Sequence, residues 1–241
     1  MKRIVLANYE EVSAAAAAVL IKQINANPGS VLGLATGSTP IGMYGNLVEA
    51  HRRGELDFSG VRTFNLDEYY PIRKNDAQSY SFFMWEHLFS HVNILEENIH
   101  LLNGECADPA AECDAYEQML EEAGGVDIQV LGIGNEGHIA FNEADAELKL
   151  RTHLADLSAS TIEANARFFS SPEEVPTQAL SMGMGSIMRA KSILLLITGE
   201  QKAAAAKQLF GDVVSTRVPA SFLHLHPDVT VILDQAAASL L

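Results

Sequence analysis

Short apolar runs alternate with amphipathic stretches along the whole chain. The runs KRIVLAN (2–8), SVLGLAT (30–36), VRTFNLDEY (61–69), IHLLN (99–103), VDIQVLGIG (126–134), RTHLADL (151–157), SILLLITG (192–199) and VTVILDQ (229–235) read as strands. Between them, residues 9–27, 39–54, 79–92, 108–125, 160–169 and 200–210 carry helical spacing. Pro28-Gly29 ends the first of these helices, and Asp108-Pro109 starts the one that Gly124 stops. PASFLHLHP (219–227) is open to a helical reading. No repeat, linker or break in composition divides residues 1–241, so a single domain is expected. Strand–helix alternation predicts an α/β fold, a mostly parallel sheet with helices on both faces. Ligands of such sheets bind beyond the carboxyl ends of the strands.

The composition narrows the partners. With 31 acidic and 16 basic residues the net charge is −15 at pH 7, which disfavours nucleic acid and anionic membranes. No apolar run reaches the roughly 18 residues of a membrane span. The start MKRIVLANYEE lacks the form of a signal peptide, so a cytoplasmic protein is expected. Cys106 and Cys113 are expected to be reduced and without a role.

Four post-strand segments carry candidate chemistry. In ATGSTP (35–40), Gly37 permits a tight turn, Ser38 and Thr39 bring hydroxyls, and Pro40 suits a helix start. That set fits an anion such as phosphate, and it lacks the lysine of a nucleoside-triphosphate loop. In FNLDEYYP (64–71), Asp67 and Glu68 are adjacent, so an extended chain points them to opposite faces. One can face a pocket; a helix cap is the alternative use of such a pair.

The third segment, LGIGNEGHIAFNE (131–143), contains G-x-G-x-x-G at Gly132, Gly134 and Gly137, with Asp156 19 residues beyond. A dinucleotide loop would feed a helix directly, whereas here His138 and two apolar residues follow and Asn142 reads as the helix cap. Glu136 and Glu143 instead flank His138, an arrangement that raises an imidazole pKa and fixes its tautomer. The fourth group is basic: Arg167, and Lys202 in the first turn of a helix, where a cation is out of place unless an anion binds. His87 with His91 and His224 with His226 have metal-compatible spacing but lack a further ligand.

Together GLATGSTP, FNLDEYY, DAQSYSFFM, LGIGNEGHIAFNE, ANARFF, ALSMGMGSIMRAK and GEQKA resemble the glucosamine-6-phosphate deaminase family, in order and spacing from about Val31 to the C-terminal VILD. The resemblance implies a three-layer αβα sandwich, Rossmann-like but without a nucleotide. It implies conversion of glucosamine 6-phosphate and water to fructose 6-phosphate and ammonia, with no cofactor and no metal, by a monomer or small homo-oligomer. By resemblance His138, tuned by Glu136 and Glu143, opens the sugar ring, and Asp67 moves the proton from C2 to C1. Thr36, Gly37, Ser38, Thr39, Arg167 and Lys202 hold the phosphate.

The chain departs from the family pattern at Glu136, usually Asp or Asn, and at Ala144, usually Pro. His153 and Ala155 stand where allosteric members carry basic residues, so no activation by N-acetylglucosamine 6-phosphate is expected. Two rival readings are a 6-phosphogluconolactonase and a sugar-phosphate sensor without catalysis. Against the first, His138 is followed by Ile-Ala-Phe-Asn-Glu, where the lactonase histidine is typically followed by Thr-Ala-Ser. Against the second, Asp67 is present where loss of the base would be expected, and no DNA-binding segment is expected before Lys2.

Overall fold

The computed structural model describes every residue except 167, 168, 170, 172 and 173, and the side chain at 164. The described elements are β1 (Lys2–Leu6), α1 (Tyr9–Ala26), β2 (Val31–Leu34), α2 (Ile41–Arg52), β3 (Arg62–Asn65), β4 (Asp67–Tyr70), α3 (Tyr80–His87), β5 (Ile99–His100), α4 (Pro109–Glu122), β6 (Ile128–Leu131), β7 (His153–Asp156), α5 (Ala159–Asn165), β8 (Gln178–Ser181), α6 (Met184–Met188), β9 (Ser192–Ile197), α7 (Ala203–Leu209) and β10 (Val229–Asp234). Among them, seven strands form a sheet in the order β1-β10-β9-β6-β2-β3-β5. Every pairing in it is parallel.

Side-chain alternation sorts this sheet into two cores. Ile193, Leu195 and Ile197 of β9, with Val229, Val231 and Leu233 of β10, pack beneath α4, α6 and α7. Leu194, Leu196 and Ile232 point the other way, into the core made with α1, α2 and α3. Strands covered on both sides read as unbroken apolar runs, as SILLLI does. Each fully buried leucine or isoleucine contributes about 1.5–3 kcal/mol, so the two helical layers are held chiefly by the sheet between them. The result is a three-layer αβα sandwich.

Local chemistry sets the helix starts. Asn8 accepts from Glu11 N, Ser79 from Phe82 N, and Asp108 from Ala110 N and Ala111 N with Pro109 following. Each satisfies amide groups that the helix leaves open.

Several elements differ from the sequence expectation. The run 61–69 is two strands: after β3, Leu66 leaves the large sheet and β4 joins an antiparallel sheet in the order β4-β8-β7. Leu66 donates to Leu34 O (3.1 Å) and accepts from Met182 N (2.7 Å), bonding to both layers at once. RTHLADL supplies β7 of the small sheet, and β8 and α6 were not expected from the sequence. Asn142 starts no helix. Its Nδ2 donates to Ile139 O (3.0 Å) and Met182 O (2.8 Å), cross-linking the 138–142 turn to the residue after β8. Residues 219–225 are 3-10 helix, as are 200–202 before α7. Cys106 and Cys113 are free. Among the described residues, no helix is long and apolar enough to cross a membrane.

Candidate active site

The loops after β2, β3, β6 and β9 line one cleft of about 790 Å³ at the carboxyl edge of the large sheet. It brings together Thr36, Gly37, Ser38, Thr39, Asp67, Glu136, His138 and Lys202. Glu143 is not among the lining residues, and Arg167 lies outside the described ones. A neighbouring cavity of about 620 Å³, bordered by Arg73, Gly104 and Glu174, shares Ala77, Gln78 and Phe169 with the cleft but none of the candidate residues.

Strand parity divides Asp67 from Glu68. In β4, Glu68 points under α3 and takes four donors: Tyr69 N (2.9 Å), Tyr80 N (2.9 Å), Ser81 N (2.9 Å) and Ser79 Oγ (2.8 Å). It is the second cap of α3, beside Ser79. Asp67 turns to the cleft with only 8% of its surface exposed. Burial pushes its carboxyl up to about 8, and the adjacent Glu68 charge adds to the effect. Burial also pushes Glu68 up, while its four hydrogen bonds pull back. A carboxyl held near neutrality can take and return a proton at pH 7, which an ordinary aspartate does poorly.

The glycines after β6 seat an imidazole. A Cβ on Gly134 would lie 2.1 Å from His138 Cε1 and Nε2, so the ring occupies the space a side chain would need. Gly134 N donates to His138 O (2.9 Å), closing the loop on itself. Two residues on, Ala140 has φ 51°, a left-handed conformation that costs a non-glycine residue about 1 kcal/mol. The turn is pinned by Phe141 N donating to Ser181 Oγ (3.1 Å) and by the Asn142 bonds.

His138 does not follow the charge count. Glu143 and Glu136 raise its pKa, but burial lowers it more and Lys202 also lowers it, so the net value falls below the ordinary one. A partly buried imidazolium loses hydration that two carboxylates do not restore. Both acids are engaged at the start of α5: Glu136 accepts from Ser160 Oγ (3.1 Å) and Glu143 from Ser158 N (3.2 Å). A neutral imidazole has one donor and one acceptor nitrogen, as a shuttle between two oxygens needs.

In the loop after β2, Gly37 has φ 92°, and a Cβ there would meet no atom within 4 Å, so its conformation rather than lack of space calls for glycine. Lys202 caps α7 and lines the cleft with Thr198 and Gln201. The aromatic wall was missed in the sequence. Tyr80 stacks with Phe141 at 6.2 Å and 4°, and Tyr69 packs 4.9 Å from Tyr80. Helical spacing over residues 79–92 does not show which way Tyr80 faces, and Phe141 stood in the loop between His138 and Asn142. His87 also lines the cleft, and its ring meets Phe83 edge-on at 4.4 Å. The other histidine candidates bond to backbone: His91 Nε2 to Glu86 O (2.9 Å), His224 Nε2 to Leu209 O (2.6 Å) and His226 Nε2 to Ala190 O (2.8 Å).

Comparison with known proteins places the chain in a family. The family described as Glucosamine-6-phosphate isomerases/6-phosphogluconolactonase matches residues 7–232. The glucosamine-6-phosphate deaminase of Thermoanaerobacter pseudethanolicus is 53% identical over 241 residues, covering 100% of this chain and 95% of that one. That of Halothermothrix orenii is 51% identical, with both chains covered in full. A solved monomeric glucosamine-6-phosphate deaminase superposes with a TM-score of 0.98 at 45% identity, both chains covered in full. The 6-phosphogluconolactonase from Trypanosoma cruzi shares the fold, with a TM-score of 0.82 at 23% identity over 100% of this chain and 96% of that one. The chain belongs to the glucosamine-6-phosphate isomerase/6-phosphogluconolactonase family, on its glucosamine-6-phosphate deaminase side.

Proposed function

We propose that this chain converts glucosamine 6-phosphate and water to fructose 6-phosphate and ammonia, acting as a monomer with residues 1–241 as one unit. The observation that carries this reading is a convergence: a buried carboxyl pushed up to about 8 and a half-buried, neutral-leaning imidazole line one cleft that also contains an anion-suited loop.

The chemistry is assigned as follows. The phosphate sits on the Thr36–Thr39 loop with Lys202 and, by resemblance, Arg167. These local donors offset the net charge of −15, and the anchor fixes the sugar relative to the reacting carbons. His138 takes the proton of the C1 hydroxyl and gives one to the ring oxygen, opening the ring. Glu136 and Glu143 stabilise the imidazolium formed in passing. Asp67 then removes the C2 proton while the C1 oxygen takes one up from water, leaving an enolamine, and returns a proton to C1. The product is an imine at C2. Water adds there, the C–N bond breaks, and ammonia leaves. The aromatic wall of Tyr80 and Phe141 suits the apolar edge of a sugar.

The test is ammonia release from glucosamine 6-phosphate, with hydrolysis of 6-phosphogluconolactone as the control. Lactone hydrolysis without ammonia would replace this reading with the lactonase one. Binding of the sugar phosphate without turnover would replace it with the sensor.

A further inference from the structure

We infer that Tyr9, outside the cleft lining, is a positioning residue for the phosphate loop: its hydroxyl ties the carbonyl of Ser38 to the first turn of α2. The inference rests on the phosphate assignment above.

The hydroxyl does two things. It donates to Ser38 O (3.1 Å) and accepts from Gly42 N (2.7 Å). Gly42 N–H belongs to the first turn of α2, where amides lack a helical acceptor. Ser38 O is an acceptor in the middle of a loop read as anion-binding, and a carbonyl aimed at an anion would repel it. Bonded to Tyr9, which does not line the cleft, that oxygen is already engaged.

The contact is built closely. A Cβ on Gly42 would lie 3.0 Å from Tyr9 Cε1 and 2.4 Å from Ser13 Oγ, so the helix start comes against α1 only because residue 42 has no side chain. Tyr9 itself is the first residue of α1, fixed by the Asn8 cap. The clamp therefore joins the start of α1, the start of α2 and the loop between β2 and α2. Nothing in the sequence motif of the loop points to it, because its partner lies 29 residues upstream.

The variant Tyr9→Phe keeps the ring and removes both hydrogen bonds. In the full chain it is expected to raise KM for glucosamine 6-phosphate and the inhibition constant of inorganic phosphate together, by about tenfold. The kcat should stay within about twofold of the parent. A purely structural role would lower Tm and leave both phosphate-dependent constants unchanged, which would overturn the inference. So would a fall in kcat at unchanged KM. Parent protein that neither turns over the sugar phosphate nor responds to phosphate would instead remove the site assignment itself.

Discussion

Asp67→Asn is expected to stabilise the fold while abolishing the reaction. In the native chain the carboxyl, pushed up to about 8 by burial, stays protonated across most of the neutral range; in the unfolded chain it ionises at its ordinary 3.8. Between those values the unfolded state alone releases the proton, so native stability falls as pH rises from about 4 to 8. Below 3.8 both states are protonated, and above 8 both are ionised and the loss levels off. A tenfold change in an acid dissociation constant is worth about 1.4 kcal/mol, so the loss is near zero at pH 4, about 3 kcal/mol at pH 6 and about 5 kcal/mol at pH 8. Asparagine does not titrate and escapes this loss. Urea denaturation of both proteins at pH 4, 6 and 8 should therefore show a stability gap that opens in favour of Asp67→Asn. The other titrating groups are common to both and, apart from Glu68, whose charge acts on Asp67, cancel in the difference. Exchange of the substrate C2 proton with solvent should vanish in the variant while phosphate still binds. In the parent, kcat/KM should climb between pH 6 and 8 as the base ionises. A gap of constant size across the pH series would refute the argument that burial holds the proton on Asp67.

Three further outcomes follow from the same geometry. His138→Gln should slow turnover of the closed-ring sugar far more than that of an open-chain analogue, by about 100-fold in kcat/KM; equal losses on both would exclude a ring-opening role. Gly134→Ala should displace the imidazole, because the added methyl would meet the ring at 2.1 Å, and kcat should fall at least about tenfold with KM little changed; parent-like kcat would show that the ring has room to move. Saturation curves should stay hyperbolic with N-acetylglucosamine 6-phosphate added, and light scattering should give the mass of one chain; a curve sharpened by that ligand would contradict the reading of His153 and Ala155.

The alternation of the large sheet was legible because burial on both sides leaves uninterrupted apolar runs such as Ile193–Ile197. The break at Leu66 was not. Leu66 is apolar, continues the strand pattern, and has neither glycine nor proline beside it, so only its bonds to Leu34 and Met182 reveal the change of sheet. The short QALS of β8 carried too few residues to register as a strand. At the site, residue types and order marked loops that the fold brings to one cleft, but three features depended on the third dimension. Parity showed that Asp67 and Glu68 must part company without showing which way. Counting acids around His138 gave the direction of their effect and missed the larger, opposite effect of burial. The glycine spacing around residue 134 advertised an open backbone, whereas the position is filled by a ring contributed four residues later.

The pairing of β4 with β8 sets Asp67 opposite Ser181 and Glu68 opposite Leu180. A slip of one residue in that ladder would exchange the two acids, placing the longer one in the cleft and the shorter one beneath the helix. Which acid faces the cleft is thus decided by backbone registration: the Phe141 and Asn142 contacts that fasten the end of β8 act as a ratchet, turning one carboxylate into the cleft and its neighbour under the helix.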